Sequence, residues 1–206
     1  MALKTKDFTY KYKVRIKGDV YFPTNRKVTY WEVGIVGTTE TVLEQKSLEG
    51  YSSNNVEMLN VGIHNYLSKR PILTYQTHVQ NLGWQQIQSE WDMSGTSGKS
   101  LRLEGIKIYL NSNGHTGTVQ YRTHVQNLGW QSWVSNGQMS GTSGKSLRLE
   151  AIQIKFTGAL ADKYDIYYRV HVQDLGWQEW KYNGETAGTT GKNKRLEAIE
   201  ITLRNG

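Results

Sequence analysis

A segment of nine residues occurs three times along the chain, and this repetition constrains the fold more than any other feature. It reads THVQNLGWQ at 77–85 and 123–131, and VHVQDLGWQ at 170–178. A second segment follows in every copy, reading MSGTSGKSLRLE at 93–104 and 139–150, and TAGTTGKNKRLE at 186–197. The copies are 46 and 47 residues apart, so three units run in register with one inserted residue.

Units of this length cannot each bury a hydrophobic face alone, so neighbouring units must pack together around a common core. We therefore predict a mainly β, pseudo-threefold domain at 74–206, with units 1, 2 and 3 at 74–119, 120–166 and 167–206. Each unit reads as three strands, two of them long, which favours a β-prism-like domain over the alternative, a β-trefoil with four shorter strands per unit. A linear array of repeats is the third option.

Alternation in the first predicted strand of each unit separates a core face from a wetter face. In unit 2, Tyr121 and Val125 share one face, while His124 lies on the other. Side chains alternate between the two faces of a strand, so we expect the Tyr and Val face to form the core. A tight turn then leads to a predicted middle strand at 130–134.

The last predicted strand of each unit contains a slip in its alternation. In unit 2, Leu147 and Leu149 have one parity, whereas Ile152 and Ile154 have the other. A slip of one residue moves every following side chain to the other face, so we predict a β-bulge. The slip falls at 104–105, 150–151 and 197–198. We expect the Glu at this step to be structural and to accept backbone N–H groups that the bulge frees.

Residues 1–73 do not match the repeat and are predicted to form a small β or α+β domain for anchoring or assembly. The stretches 10–17 and 28–36 read as strands, since the first alternates apolar and basic residues. The stretch 52–69 fits neither a helical nor a strand period. Pro71 marks the junction with the repeats.

Composition excludes several kinds of protein. The chain has no Cys, which excludes disulfides and thiolate metal sites, and no apolar run long enough to span a membrane. The net charge of +7 is spread thinly, whereas nucleic-acid binding needs a basic patch. We therefore predict no nucleic-acid or membrane partner, no metal and no cofactor. Seven Trp and thirteen Tyr favour strands and aromatic surfaces.

The loop GTSGKS resembles a phosphate-binding loop but has the wrong spacing. That motif needs four residues between its first Gly and the Gly-Lys pair, and here there are two. The loop also lies between predicted strands and occurs in every unit. We expect a Gly-rich turn whose N–H groups, with Lys145 or Lys192, are candidates for holding an anionic group.

Histidine occupies one repeat position in all three units, at His78, His124 and His171. We find no carboxylate or nucleophile at a fixed spacing from this His. A catalytic site is normally a single asymmetric group of residues, whereas this His recurs in every unit. We therefore predict no catalytic residues. These histidines, with Gln126 and Gln173 on the same face, are candidates for hydrogen bonds to a ligand.

Tryptophan follows the tight turn in every unit and recurs three residues later in two of them. The first position is Trp84, Trp130 and Trp177, and the second is Trp133 and Trp180. Indole rings stack on the apolar faces of sugars, so Trp130, Trp133, Trp177 and Trp180 are candidate glycan contacts. The competing interpretation favours the core for the first Trp. Unit 1 has Ile87 at the second position and Glu90-Trp91 instead of an Asn-Gly turn, so we expect it to be the weak site.

The combined pattern closely resembles the clostridial hydrophobic repeats with a conserved tryptophan, or ChW repeats. It consists of Tyr-x-x-His-Val-Gln-x-x-Gly-Trp, then Gly-Thr-Thr/Ser-Gly-Lys, then Arg-Leu-Glu-Ala/Gly-Ile, and covers residues 74–204. Such repeats occur in clostridial surface and secreted proteins and in wall-lytic enzymes of bacteria and phages. The resemblance implies attachment to cell-wall polysaccharide or another surface glycan, without catalysis. Residues 1–73 show no such resemblance.

The small size of the segment outside the repeats, residues 1–73, limits the functions to be expected. A wall hydrolase would need a catalytic domain of about a hundred residues or more beside its repeats. The start of the chain lacks the apolar core of a secretory signal. We therefore expect a phage or tailocin virion protein, made in the cytoplasm, homo-oligomeric, and held in the particle through its N-terminal domain. The alternatives are an extracellular or cell-surface adhesion module and the binding part of a cell-wall hydrolase.

Overall fold

The computed structural model describes residues 70–206 and, before them, three strands of an antiparallel sheet. These strands are β1 (Tyr12–Lys17), β2 (Tyr30–Ile35) and β3 (Val42–Ser47), with β2 in the middle. The first two lie within the stretches expected to be strands, and the third was not expected. The ambiguous stretch 52–69 is outside the described residues. The chain divides into two compact parts, an N-terminal part at Met1–Ser68 and a repeat part at Lys69–Arg204.

Each repeat contains two long strands and three strands of two residues. The long strands are β4 (Ile72–Val79), β8 (Leu103–Asn111), β9 (Val119–Val125), β13 (Leu149–Phe156), β14 (Tyr164–Val172) and β18 (Leu196–Asn205). The short strands are β5 (Gly83–Trp84), β6 (Gln88–Ser89), β7 (Ser94–Gly95), β10 (Gly129–Trp130), β11 (Val134–Ser135), β12 (Ser140–Gly141), β15 (Gly176–Trp177), β16 (Lys181–Tyr182) and β17 (Ala187–Gly188). A short helix, α1 (Ala159–Lys163), occupies the connection lengthened by the inserted residue. The prediction of one continuous middle strand was wrong, because the chain leaves the sheet between its two short pairings with the first long strand.

The repeats form three antiparallel sheets, and each sheet contains one strand from another unit. Strand β12 of unit 2 pairs with β8 of unit 1, and β17 of unit 3 pairs with β13 of unit 2. Strand β7 of unit 1 pairs with β18 of unit 3 and so closes the cycle. A linear array, the third option above, is therefore wrong.

The core is one apolar cluster to which all three units contribute. Along β9, burial alternates as expected, with Tyr121 and Val125 fully buried and His124 partly exposed. Strands β4 and β14 repeat the pattern, which places Tyr75 and Tyr168 in the same cluster. The predicted Tyr and Val core face is confirmed.

The predicted bulge occurs at the expected step in units 1 and 2. In the pairing of β13 with β9, Leu149 lies opposite Val125 and Ala151 lies opposite His124, so Glu150 is the extra residue. The pairing of β8 with β4 skips Glu104 in the same way. Unit 3 has the same run of four buried residues, which begins at Leu196.

The Gly in each exchanged strand is required by the approach of the neighbouring bulge. A Cβ on Gly141 would lie 2.5 Å from the backbone oxygen of Glu104, and its φ of +104° also disfavours side chains. Gly95 and Gly188 approach Glu197 and Glu150 equally closely. The next residue fixes the contact, since the Thr142 N–H donates to the Glu104 carbonyl at 2.7 Å.

Buried tyrosine hydroxyls join each unit to the preceding one around the cycle. The hydroxyl of Tyr121 accepts from the Ile108 N–H at 3.0 Å and donates to the Gln138 carbonyl. Tyr168 and Tyr75 bond Ile154 and Ile201 in the same way. Burial raises the pKa of Tyr121 to about 12 and also raises the pKa values of the other two, because a buried phenolate would lose its hydration.

Replacing Gly141 with Ala tests the close approach between units. We expect Gly141→Ala to lower the free energy of unfolding by about 3 kcal/mol, since the added methyl overlaps rigid backbone. The matched control is Gly144→Ala, where φ is +70° but an added Cβ meets nothing within 4 Å. Left-handed strain alone should cost about 1 kcal/mol there. Urea unfolding measures both, and equal costs would contradict the account.

Alkaline unfolding tests the tyrosine bonds. In the unfolded chain tyrosine ionises near pH 10.0, below the folded pKa of Tyr121 at about 12. Stability should therefore be complete below pH 10 and fall as the pH rises towards 12. Tyr121→Phe should lower stability at neutral pH by about 1–2 kcal/mol, because the Ile108 N–H loses its acceptor. Its stability should also decline less steeply above pH 10.

Urea unfolding at stepped pH gives both quantities, with Tyr182→Phe as the control because Tyr182 is exposed. Parallel declines for the wild type and Tyr121→Phe would show that Tyr121 is not the titrating group.

Candidate functional site

The first Trp of each unit lies on the outer face of its sheet. In unit 2, Trp130 pairs opposite His124, and the two rings meet edge to face with centroids 5.5 Å apart. His78–Trp84 and His171–Trp177 have the same geometry. All three indoles are half-buried, so the expectation that this Trp belongs to the core was wrong. The reason is that the turn pairs it with the outward-facing His.

A buried carboxylate lies beneath each of these histidines. Glu150 Oε2 is 3.1 Å from His124 Nδ1, although the N–H direction is not aligned for a hydrogen bond. Glu150 Oε1 accepts from Arg148 at 2.8 Å. Equivalent clusters surround Glu104 and Glu197. The expectation that no carboxylate has a fixed spacing from the His was wrong, because the bulge Glu follows it by 26 residues in every unit.

The bulge Glu has a different set of partners from the one expected. Its carboxylate bonds Arg and contacts His side chains, whereas backbone N–H groups were predicted. A buried carboxylate is stable only with such compensation, so the cluster holds the His in place. The His ring therefore presents its other nitrogen towards the surface.

The Gly-rich loops of units 2 and 3 lie against side chains of the preceding unit, a His in one case and an Arg in the other. Ser143 Oγ in unit 2 is 3.5 Å from His78 Nε2 in unit 1, and Asn193 Oδ1 in unit 3 accepts from Arg148 in unit 2 at 3.2 Å. The candidate lysines Lys145 and Lys192 are exposed on these loops. The candidate site is therefore shared between units.

The candidates Gln126 and Gln173 lie at the start of the tight turn and are half-buried. Their backbone N–H groups donate to the carbonyls of Arg148 and Arg195 at 3.0 Å, which ties the turn to the last strand.

An arginine separates the two Trp rings on the outer faces of units 2 and 3. In unit 2 the Arg122 guanidinium carbon is 5.0 Å from the Trp130 ring centroid and 4.8 Å from the Trp133 centroid. In unit 3 Arg169 is 4.9 Å from both rings. We call these groups the ladders, Trp130–Arg122–Trp133 and Trp177–Arg169–Trp180. Each stacked cation fixes the ring orientations and leaves the indoles partly exposed.

Unit 1 has no second Trp and therefore no ladder. Gln76 replaces the arginine and donates to the Tyr109 hydroxyl at 2.8 Å, while Ile87 is exposed. Trp91 of unit 1 instead lies against Trp180 of unit 3, edge to face at 5.4 Å. The cyclic pairing of β7 with β18 brings these two units together.

Several residues of this surface were not predicted from the sequence. They are the ladder arginines Arg122 and Arg169, Lys155 over Trp133, Trp91, and the half-exposed leucines of the turn tips, Leu82, Leu128 and Leu175. Strand parity placed Arg122 on the same face as His124, and that signal could have identified it. Trp91 gave no comparable signal, because its partner lies in another unit.

The fold and this surface define a class, a cyclic three-repeat β protein whose outer faces carry aromatic and cationic side chains. The family model described as Clostridial hydrophobic W (ChW) matches residues 78–112, 124–158 and 171–205. Since these matches cover half of the sequence, the chain belongs to the ChW family. Repeats of this family are often associated with the cell surface or the cell wall.

No curated protein and no solved structure matches the chain. Within the described residues, the helical segments are too short or too polar to cross a membrane.

Proposed function

We propose that the repeats bind cell-wall polysaccharide or another surface glycan through the ladders of units 2 and 3, without catalysis. The observation that carries this proposal is the pair of partly exposed indoles held by one arginine in each ladder. Indole faces accept the apolar faces of sugar rings, and guanidinium N–H groups donate to hydroxyl or anionic oxygens. The combination fits an extended polymer of sugars.

The surroundings of the three histidines support the proposed absence of catalysis. Each Nδ1 faces a buried Glu that also holds an Arg, so the carboxylate has a structural task. The arrangement recurs in three units, whereas catalysis needs one nucleophile or acid in an asymmetric setting.

We also propose that the three sheets form the faces of a β-prism, in preference to a trefoil. One core shared by three separate antiparallel sheets supports this arrangement. It would direct the outer face of each sheet away from the others. Two ladders on different faces could then engage one wall polymer or two, which raises the apparent affinity by multivalency.

Removing the second Trp of both ladders tests the binding proposal. We expect the double substitution Trp133→Ala and Trp180→Ala to weaken binding to purified Gram-positive cell walls by about tenfold, because the stacking surface is lost. The matched control is Ile87→Ala, which truncates the same repeat position in unit 1. Sedimentation of the full chain with walls measures the effect, and far-ultraviolet circular dichroism monitors folding. Unchanged binding of the folded double variant would refute the proposal.

We propose that the protein is a component of a phage or tailocin virion. It would be a homo-oligomer that is attached to the particle through its N-terminal part. The N-terminal part has its own three-stranded sheet and lies outside the family matches, which supports a separate role for it. A bacterial surface adhesion protein and the binding part of a wall hydrolase are the alternatives.

Particle purification from the producing cells tests the virion location. We expect the full chain to band with virus-like particles on a density gradient and to be released only when the particles are dissociated. Recovery in the cell-wall fraction, with none in the particle band, would favour the adhesion alternative and overturn the virion location.

A further inference from the structure

Units 2 and 3 differ in charge at one position beside the ladder arginine. In unit 2, Gln153 Oε1 accepts from Arg122 Nε at 2.7 Å, and its Nε2 donates to Thr186 Oγ1 at 2.9 Å. In unit 3 the equivalent residue is Glu200, whose carboxylate Oε2 lies 2.7 Å from the guanidinium nitrogen Nη2 of Arg169. The amide orients its arginine and leaves the positive charge uncompensated, whereas the carboxylate neutralises it.

Unit 2 adds a second cation to the same ring. Lys155 Nζ lies 4.4 Å from the Trp133 centroid, and Arg122 is 4.8 Å from it. Within residues 70–206, neither cation has a carboxylate at ion-pair distance. The second Trp of unit 2 is therefore bordered by two unneutralised positive charges.

Unit 3 has a more aromatic surface at the equivalent place. Thr202 replaces Lys155, and the Trp91 ring packs against Trp180 at 5.4 Å. The additional cation here is Arg204, 5.8 Å from the Trp91 centroid and 4.7 Å from that of Tyr167. The arginine within the ladder itself remains paired with Glu200.

We infer that the two ladders take different parts of the ligand. Unit 2 binds an anionic group of a wall polymer, a phosphodiester or a carboxylate, between Arg122 and Lys155, with the adjoining residue of the polymer stacked on Trp133. Unit 3 binds uncharged sugar through its aromatic surface. Among residues 70–206 Arg122 donates only through Nε, so its other N–H groups fit two oxygens of one anionic group. This inference rests on the proposed wall-binding function and assigns its ligand chemistry.

Reciprocal charge exchange between the units tests the inference. Gln153→Glu copies the arrangement of unit 3 into unit 2, and Glu200→Gln does the reverse, so each substitution recreates a local structure that the chain already contains. The control Gln138→Glu adds the same charge in the turn of unit 2, where unit 3 has Glu185 at the equivalent position. All three variants are made in the full chain.

The probes are soluble poly(glycerol phosphate) and polyglucuronate, and tryptophan fluorescence reports binding. We expect Gln153→Glu to weaken binding of at least one polyanion by about fivefold, Glu200→Gln to strengthen it by a similar factor, and the control to change little. An effect on the phosphate polymer alone identifies phosphodiester, and an effect on polyglucuronate alone identifies carboxylate. Equal binding by the wild type and Gln153→Glu, or an equal loss in the control, overturns the inference.

Two combinations of results separate this inference from the proposed function. If the double Trp variant loses wall binding but Gln153→Glu leaves polyanion binding unchanged, wall binding stands and the anionic site is overturned. If the double Trp variant keeps wall binding while Gln153→Glu weakens polyanion binding, the anionic site stands and the ladders are not the wall-binding surface.

Discussion

The exchange of a two-residue strand between units is the constraint on which the rest of the repeat domain depends. A strand this short has no independent stability, and it is held by the close approach of Gly141 to the Glu104 carbonyl and by the Thr142 N–H. The same exchange carries the following loop to His78 of the preceding unit. Closure of the cycle and assembly of the shared site therefore have one origin.

The bulge connects the core to the outer face. After the extra Glu150, the parity of the strand changes, so that Ile152 and Ile154 reach the core and Gln153 lies opposite Arg122. Without the bulge, Gln153 would point inward and the arginine would have no partner to orient it. The extra residue is itself buried, and its charge is acceptable there because His124 and Arg148 surround it.

Local pattern predicted the repeats, the Tyr and Val core face and the bulge, because each depends on alternation within one strand. It misplaced the first Trp, since the outward position of Trp130 is set by pairing with His124 across a turn. It also predicted a continuous strand at 130–134, although only the ends of this segment pair with β9. The contact of Trp91 with Trp180 depends on closure of the cycle, which no local pattern records.

The turn that closes the cycle also makes the binding surface unequal. In unit 2, the Asn136 carboxamide both donates to and accepts from the backbone of the preceding unit. Where the cycle closes, Glu90 stands at the position of Asn136 and accepts from the Leu203 N–H, while Arg70 donates to the Leu203 carbonyl. The ion pair between Glu90 and Arg70 therefore takes the place of the single carboxamide. The backbone keeps the left-handed conformation that favours Gly, but the residue here is Trp91, whose φ of +68° is strained for a side chain of this size. The Trp91 ring packs against Trp180 of the unit 3 ladder, so closure and the aromatic character of unit 3 depend on the same turn.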